Sequence, residues 1–241
     1  MSGRKRFFVE NINIADKTAV LEGEEFVHAK TVQRVEEGTE IILLDGSGKE
    51  YTAIVSKVEK RSLTAHIVGE ADGEREPRTE ICLLCGALKG DKTELVVQKA
   101  TELGVSKIGV FNSEYCSAFI NANKLDRLNK VAREAAKQCM RSRAPQVQYF
   151  DKFETALNSA SEYENKFFAC EFAKTSENDI SKISGNTALV VGSEGGFSEA
   201  EAELAKACGF SWLTLGKRIL RAETAAITLT ALTAFALGEL K

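Results

Sequence analysis

The sequence predicts a protein of two parts, a small mostly β barrel followed by an α/β domain with a mainly parallel sheet. Short strand-like runs bounded by turn residues fill the N-terminal part. A polar stretch at 69–78, GEADGEREPR, has the composition of a domain linker. Strand and helix patterns alternate after it, which favours a parallel sheet covered by helices on both faces. We therefore predict domains at 1–72 and 73–241.

The N-terminal domain contains four strand-like runs and one helical interruption. The strands are RFFVEN, EIILLD, EYTAIVSKV and LTAHIV, and the turn DGSGKE at 45–50 joins two of them as a hairpin. The segment GEEFVHAKTVQRVEEG is predicted to be helical. This pattern is typical of a small β barrel.

The C-terminal domain begins with the apolar strand ICLLCGAL. The helix DKTELVVQKATELG follows, with Asp91 as its predicted N-cap and Gly104 as its stop. The remaining predicted strands are KIGVFN, KFFACEF (166–172), TALVVG and SWLTLG, and the remaining helices lie near 123–141, in SEAEAELAKACG and at 223–238. The last helix is apolar nearly all round, so it must be buried in its own domain or against a second copy of the chain.

Composition excludes several classes of protein. The chain has 241 residues, of which 44% are apolar and 28% charged, as in an ordinary globular protein. With a formal net charge of −3, a nucleic acid would have to be met by local basic patches. The basic start lacks the apolar region of a secretory signal, and AAITLTALTAFALG is too short to span a bilayer. Six cysteines without an export signal fit reduced thiols in a cytoplasm.

Cys82 and Cys85 form a C-x-x-C pattern inside the first apolar strand of the second domain. Residues three apart on a strand point to opposite faces, so these thiols cannot share a metal ion or form a redox loop at a helix start. We interpret both as buried structural residues, and we expect no metal.

The helix near 123–141 carries basic residues on the face opposite its apolar stripe. They are Arg127, Lys130, Arg133, Lys137 and Arg141, and Arg143 continues the series. This face is either the solvated side of an amphipathic helix or a ridge that follows a phosphate backbone.

Two glycine-bearing turns each join a buried strand to a helix. VVGSEGGFS (190–198) supplies Gly192, Gly195 and Gly196, and Ser198 with Glu201 forms a capping box. This loop lacks the P-loop and dinucleotide-binding spacings, so alone it is weak evidence for a ligand.

The second turn, LGKRILRAETAA (215–226), places Arg221 and Glu223 between a buried strand and an apolar helix. Taken alone, Glu223 would be an acidic residue that balances the positive end of the helix macrodipole. Taken alone, Arg221 would be an ordinary charged residue on the surface. Two charges in that position are more often partnered or functional.

Together, GSEGGFSEAE and LGKRILRAETA resemble the ribosomal RNA small subunit methyltransferase E (RsmE) family of the SPOUT class. KGDKTELVVQKATELGV (89–105) and EAAKQCMRSRAP (134–145) are similar to two further motifs of that family. The resemblance runs from end to end and implies a PUA-like RNA-binding barrel before a SPOUT domain with a deep trefoil knot, a rare exception to unknotted folds. Ser193 stands where proline is usual, and Tyr115 stands where arginine is common.

The resemblance also implies a function and a site. The enzyme would use S-adenosylmethionine to methylate N3 of a uridine in 16S rRNA, and it would act as a homodimer. The implied cofactor residues are Gly192, Glu194, Gly195, Gly196, Leu215, Gly216, Ile219 and Leu220. Arg221 would stabilise the base or its phosphate, and Glu223 would orient Arg221 or accept a proton. The residues expected to bind RNA are Arg4, Arg6, Lys89, Lys92, Arg133, Lys137, Arg141 and Arg143.

Two other functions are compatible with parts of this pattern. A non-enzymatic RNA-binding or assembly factor would use the barrel and the basic helix equally well. A nucleotide-binding enzyme would use the first glycine loop for a phosphate at a helix N-terminus. Binding of S-adenosylmethionine or of ATP distinguishes the three.

Overall fold

The computed structural model describes residues 4–170 and 175–240 and divides the chain into two compact units. The first unit extends to Glu76 and also includes Ala136–Ala144, and the second comprises Pro77–Ala135 and the residues from Pro145 onward. Nothing in the sequence pattern indicated that 136–144 would group with the N-terminal residues.

The first unit is built on a six-stranded sheet. Its strands are β1 Lys5–Phe8, β2 Ile12–Asn13, β3 Thr18–Glu22, β4 Glu40–Leu44, β5 Lys49–Val58 and β6 Ser62–Asp72, in the order β1-β4-β5-β6-β3-β2. The β1–β4 pair is parallel and the other pairs are antiparallel. Burial alternates along β3 and β5, so one face of the sheet encloses a single apolar core.

The four predicted strands and the hairpin at 45–50 are present in this unit. The predicted helix is shorter than expected, since α1 covers Gly23–Val27 and one π-helical turn, His28–Val32, completes it. Arg34 then adopts a φ of 49°, which no helix can continue through.

The second unit contains a six-stranded sheet in which every pair is parallel. Its strands are β7 Ile81–Gly86, β8 Lys107–Phe111, β9 Gln146–Phe150, β10 Asn165–Ala169, β11 Thr187–Val191 and β12 Ser211–Leu213, in the order β12-β10-β11-β7-β8-β9. The central strands β7 and β11 are buried at every position, as expected for strands covered on both faces. The predicted strand at 166–172 starts within β10, and its last two residues lie outside the described residues.

Helices cover both faces of this sheet. They are α2 Lys92–Glu102, α3 Ala122–Gln138, α4 Phe153–Asn158, α5 Glu199–Ala207 and α6 Ala222–Ala236. Residues of α2, α3 and α6 form one core with the sheet, and residues of α4 and α5 form the core on its other side. The sequence did not predict β2 and β3 of the first unit, or β9 and α4 of the second. Gly104 ends α2 with a φ of 90° as predicted, whereas Asp91 occupies the N-cap without a side-chain hydrogen bond.

The two cysteines of the C-x-x-C pattern lie on opposite faces of β7. Cys85 belongs to the core beneath α2 and α6, and Cys82 belongs to the core beneath α4 and α5. Both are buried free thiols, which confirms their structural interpretation.

The last helix, α6, packs beneath the centre of the sheet. It contacts β7, β11 and α2, and it also contacts a 3-10 turn, Ile180–Lys182, in the earlier connection between β10 and β11. The C-terminal helix thus packs against a connection formed earlier in the chain, as it must if the C-terminal segment passes through a knot. Within the described ranges, no helix is long and apolar enough to cross a membrane.

Candidate active site

The loops that carry the predicted site leave one edge of the parallel sheet of the second unit. The chain runs from β7 to β8 on one side and from β11 to β12 on the other, so the strand order reverses between β7 and β11. Parallel α/β sheets bind ligands outside the carboxyl ends of their strands at such a reversal. The site therefore lies where the segments 87–91, 192–198 and 214–221 emerge.

The first glycine-bearing turn forms as predicted. The backbone N–H of Gly196 donates to the Ser193 carbonyl at 3.0 Å, and Gly196 adopts a φ of 71°. Ser198 accepts from the backbone N–H of Glu201, and the Glu201 carboxylate accepts from the backbone N–H of Ser198, which is the predicted capping box.

Two of the glycines of this turn are required by protein packing. A Cβ on Gly195 would lie 2.6 Å from the Tyr115 carbonyl oxygen, and a Cβ on Gly192 would lie 2.8 Å from the Phe197 ring. From the sequence, these glycines were expected to let a ligand approach the backbone. The structure instead gives a neighbouring protein atom as the reason for glycine at both positions.

Glu194 joins the loops that follow β7 and β11. Its Oε1 accepts from the backbone N–H of Lys89 and from Lys92 Nζ, both at 3.1 Å. Partial burial opposes ionisation, but these two donors keep the pKa of Glu194 below its ordinary value. Glu194 is thus an ionised bridge across the point where the strand order reverses.

The second turn is open and cationic. Gly216 adopts a φ of 100°, and among the described residues a Cβ built on it would meet no atom within 4 Å. Ile219 is 97% exposed, while Leu215 packs against the core. The exposed side chains of this turn include three cations, Lys217, Arg218 and Arg221.

Arg221 and Glu223 are not the wedged pair that the sequence suggested. Arg221 is the N-cap of α6 and its side chain is exposed. Glu223 lies in the first turn of the helix and is half-buried. In the described part of the chain, no ion pair or hydrogen bond joins the two side chains, because the start of the helix directs one outward and the other inward.

Two buried polar atoms near the carboxyl end of β7 have no partner among the described residues. They are Oε2 of Glu223 and Oγ of Ser193. Ser193 lies against this strand end, since its backbone N is 2.4 Å from the position of a Cβ on Gly86. Burial raises the pKa of Cys85 to about 12, with smaller contributions from the charges of Glu194 and Glu223, which places both carboxylates near the same strand. A buried polar atom without a hydrogen bond requires an explanation, and a bound polar ligand that completes the hydrogen bonding is one.

Comparison with known proteins identifies the fold and its relatives. An RNA methyltransferase domain family matches residues 74–234, and an RNA methyltransferase PUA domain family matches residues 21–68. Ribosomal RNA small subunit methyltransferase E of Bacillus subtilis is 31% identical over 86% of this chain and 86% of its own. The chain belongs to the ribosomal RNA small subunit methyltransferase E family.

Two solved structures extend this similarity to three dimensions. The methyltransferase E of Neisseria gonorrhoeae bound to S-adenosylmethionine superposes with a TM-score of 0.86, at 31% identity over 98% of each chain. A methyltransferase of Legionella pneumophila in complex with the same cofactor gives a TM-score of 0.88, at 30% identity over 97% of this chain and 98% of that one. The predicted fold, a PUA-like barrel followed by a knotted SPOUT domain, is confirmed.

In this methyltransferase E chain, the predicted basic ridge is interrupted. Lys137 Nζ lies 2.9 Å from Glu25 Oε1 and its side chain is 6% exposed, and Arg141 Nη2 lies 2.9 Å from Glu76 Oε2 and is 5% exposed. Both belong to the first unit, where carboxylates distant in the sequence neutralise them. The prediction that Lys137 and Arg141 form part of an exposed cationic surface is wrong.

The other predicted RNA-binding residues of this methyltransferase E differ in exposure. Arg6 is 11% exposed and held by Glu50 through two hydrogen bonds. Arg4 pairs with Glu40 but is 62% exposed, and the exposed Arg143 donates to the Ser47 carbonyl. Exposed cations outside the ion pairs of Lys137 and Arg141 include Lys89 and Arg133.

A cavity beside the second turn was not predicted from the sequence. It has a volume of about 560 Å³ and is lined by Leu213–Leu215, by residues 176–180, and by Thr228 and Leu232 of α6. No sequence signal marks this cavity, because its walls come from three segments that only the return of α6 brings together.

Proposed function

We infer that this protein transfers the methyl group of S-adenosylmethionine to N3 of a uridine in 16S rRNA of the small ribosomal subunit. The observation that carries the proposal is the pair of unpartnered polar atoms at the reversal of strand order, in a chain of the methyltransferase E family. Relatives with that name act on small subunit ribosomal RNA, and two similar structures contain the cofactor. A ribosomal substrate also favours action in the cytoplasm.

The cofactor residues proposed from the sequence remain the loops 192–196 and 215–220. The backbone of both loops would form the walls of the site, with the open side of Gly216 facing the ligand. Within this space, Ser193 Oγ can hydrogen-bond a polar group of the cofactor. S-adenosylmethionine supplies an activated methyl group, so the main task of these loops is to hold donor and acceptor in line.

Arg221 is proposed to stabilise the uridine as its N3 proton leaves. Its exposed position at the N-cap suits contact with a substrate that arrives from solvent. An arginine stays charged throughout the working pH range, so it favours the anionic base without competing for the proton. The uridine would have to leave its stack to reach this position.

Glu223 is proposed as the proton acceptor. The alternative role, orienting Arg221, lacks a hydrogen bond between the two described side chains. A carboxylate oxygen that has no hydrogen-bond partner among the described residues is available to receive a proton from the substrate. The two histidines, His28 and His66, lie in the first unit, so a histidine base in the second unit is excluded by composition.

Single-turnover methylation of small ribosomal subunits that lack the modification tests these roles. Arg221→Ala should lower the rate by roughly 10²–10³, the loss expected for one positioned electrostatic donor, while Arg221→Lys should recover part of it. Glu223→Gln should lower the rate with little change in cofactor affinity. Arg218→Ala is the matched control, since it removes a neighbouring exposed cation from the same turn and should have a much smaller effect at saturating RNA.

Calorimetry with S-adenosylmethionine and with ATP separates this proposal from the two other functions. Binding of S-adenosylmethionine alone supports it. Binding of ATP alone would indicate a nucleotide-binding enzyme, and binding of neither would indicate an RNA-binding or assembly factor. A normal rate in the Arg221→Ala variant would remove its catalytic assignment.

We also propose that the protein is a homodimer that uses the outer face of α6. Phe235 is 61% exposed and Leu232 is 44% exposed on this helix, whose opposite side is buried in the core of the second unit. They lie three residues apart and therefore share a face of the helix. Light scattering should give a dimer mass that Phe235→Asp reduces, whereas a monomer mass for the unaltered protein at micromolar concentration would contradict the proposal.

A further inference from the structure

The loop between β8 and α3, residues 112–121, exposes two aromatic side chains at the edge of the proposed site. Phe119 is 76% exposed and Tyr115 is 52% exposed, whereas the adjoining Ile120 is 6% exposed and packs into the core. Phenylalanine is among the residues most often buried, whereas this ring is mostly in solvent. The buried isoleucine anchors the segment that presents the rings.

This loop is held to its neighbours at several points. The backbone N–H of Glu114 donates to Glu201 Oε1 at 2.8 Å, and the Cys116 thiol donates to the Ala87 carbonyl at 3.2 Å. The Tyr115 backbone packs directly against Gly195. The rings are therefore presented by a segment fixed to the loops that follow β7 and β11, which lowers the entropy lost when a ligand binds.

The surroundings of the rings favour a nucleic acid as the ligand. The other exposed residues of this loop, Glu114, Ser117 and Asn121, are polar. The two rings therefore do not form the continuous apolar patch that a protein partner requires. The exposed Lys89 lies on the adjacent loop, where its backbone N–H donates to Glu194, and its ammonium group is available for a phosphate contact. Exposed aromatic rings beside cations are the usual means of binding unpaired bases.

We propose that loop 112–121 is a base-stacking platform, on which Tyr115 and Phe119 stack with unpaired bases beside the target uridine. The proposal rests on the proposed function for the identity of the RNA. It assigns to this loop the task of positioning the flanking nucleotides once the target base has left its stack. Loss of one ring should weaken RNA binding by about 5- to 150-fold, the range that corresponds to one base–aromatic stack.

The test is equilibrium binding of unmodified 16S rRNA to the full-length protein. Phe119→Leu and Tyr115→Leu keep an apolar side chain but remove the π face, and each should weaken binding within that range. Phe119→Trp and Tyr115→Phe keep an aromatic face and should bind like the unaltered protein. S-adenosylmethionine affinity and the melting temperature should be unchanged in all four variants.

The Phe119→Trp variant provides a second readout. The unaltered chain has one tryptophan, Trp212, so added emission from this variant reports on position 119. Saturating rRNA should quench the added emission, because a stacked base quenches an indole.

Three results would overturn the proposal. They are unweakened rRNA binding by Phe119→Leu, unquenched emission on RNA binding, and a fall in dimer mass with unchanged RNA affinity, which would make the rings a protein contact. The RNA-binding assay does not depend on methyl transfer. If S-adenosylmethionine failed to bind, the proposed function would be rejected, but the RNA affinities of the variants would still test the stacking proposal.

Discussion

Gly195 and Gly216 lie on the two turns of the site, and the structure predicts a different consequence for a methyl group at each. A Cβ on Gly195 would lie 2.6 Å from the Tyr115 carbonyl oxygen and 2.7 Å from Tyr115 Cβ. Real Cβ atoms essentially never approach another heavy atom to less than 3.0 Å. The obstacle is backbone, which cannot rotate away. Gly195→Ala must therefore push loop 112–121 off the first turn, at a cost of about 1–3 kcal/mol, typical of overpacking.

A Cβ on Gly216 has no neighbour within 4 Å in the described part of the chain, but its φ of 100° is unfavourable for alanine. The strain should cost about 1–2 kcal/mol. Gly46 is a matched control in the first unit, because its φ is 80° and its Cβ position is also empty. Gly216→Ala and Gly46→Ala should destabilise to a similar extent, and Gly216→Ala alone should weaken S-adenosylmethionine binding, since its added methyl group would enter the proposed cofactor space.

Thermal melting, calorimetry and hydrogen exchange of loop 112–121 distinguish these cases. Gly195→Ala should lower the melting temperature by about 2–4 °C per kcal/mol lost and speed exchange in the loop. Gly216→Ala should leave exchange in that loop unchanged. A Gly195→Ala variant as stable as the unaltered protein but unable to bind the cofactor would refute the packing argument and restore Gly195 as a ligand-facing position.

Three further predictions follow from buried and bridging groups. Arg141→Gln should destabilise the first unit by about 3–5 kcal/mol in chemical denaturation, because it leaves the Glu76 carboxylate without its buried cation; an unchanged midpoint would refute this. Burial raises the pKa of Cys82 and of Cys85 to about 12, so iodoacetamide at pH 8 should label the partly exposed cysteines first, and early labelling of either buried thiol would count against the structure. Because the pKa of Glu194 is lowered on folding, its stabilising contribution is present above its ordinary value of 4.5 and is lost as pH falls through the lower folded value. In Glu194→Gln, the free energy of unfolding should therefore change less with pH in that range.

Local sequence signals were sufficient for the elements and the turns of the site. The capping box of Ser198 and Glu201 has both of its hydrogen bonds, and Gly104 ends its helix with a positive φ. Alternating faces of a strand separate Cys82 from Cys85 as expected. These features depend on residues within a few positions of each other, which is the range over which backbone geometry dictates contacts.

Long-range pairing accounts for what the sequence could not predict. Lys137 lies 112 residues from its partner Glu25, and Arg141 lies 65 residues from Glu76. A helical wheel places these cations on a common face but contains no information on which acidic residues the fold brings to that face. The packing of Tyr115 on Gly195 has the same character, because loops after two different strands meet only when the sheet has formed.

The free-energy cost of the Glu223 carboxylate oxygen that has no hydrogen-bond partner among the described residues distinguishes a structural role of this residue from a functional one. A buried oxygen without a hydrogen bond costs about 1–3 kcal/mol, whereas an acidic residue in the first turn of a helix gains about 0.3–1 kcal/mol from the macrodipole. The unfavourable contribution is the larger, so selection for stability alone would not retain this side chain. Glu223→Met, which keeps the length of the side chain and removes its polar atoms, should therefore equal or exceed the melting temperature of the unaltered protein while methylation falls. A melting temperature that falls together with activity would show that Glu223 serves the fold, and the proton would then have to leave the uridine by another acceptor.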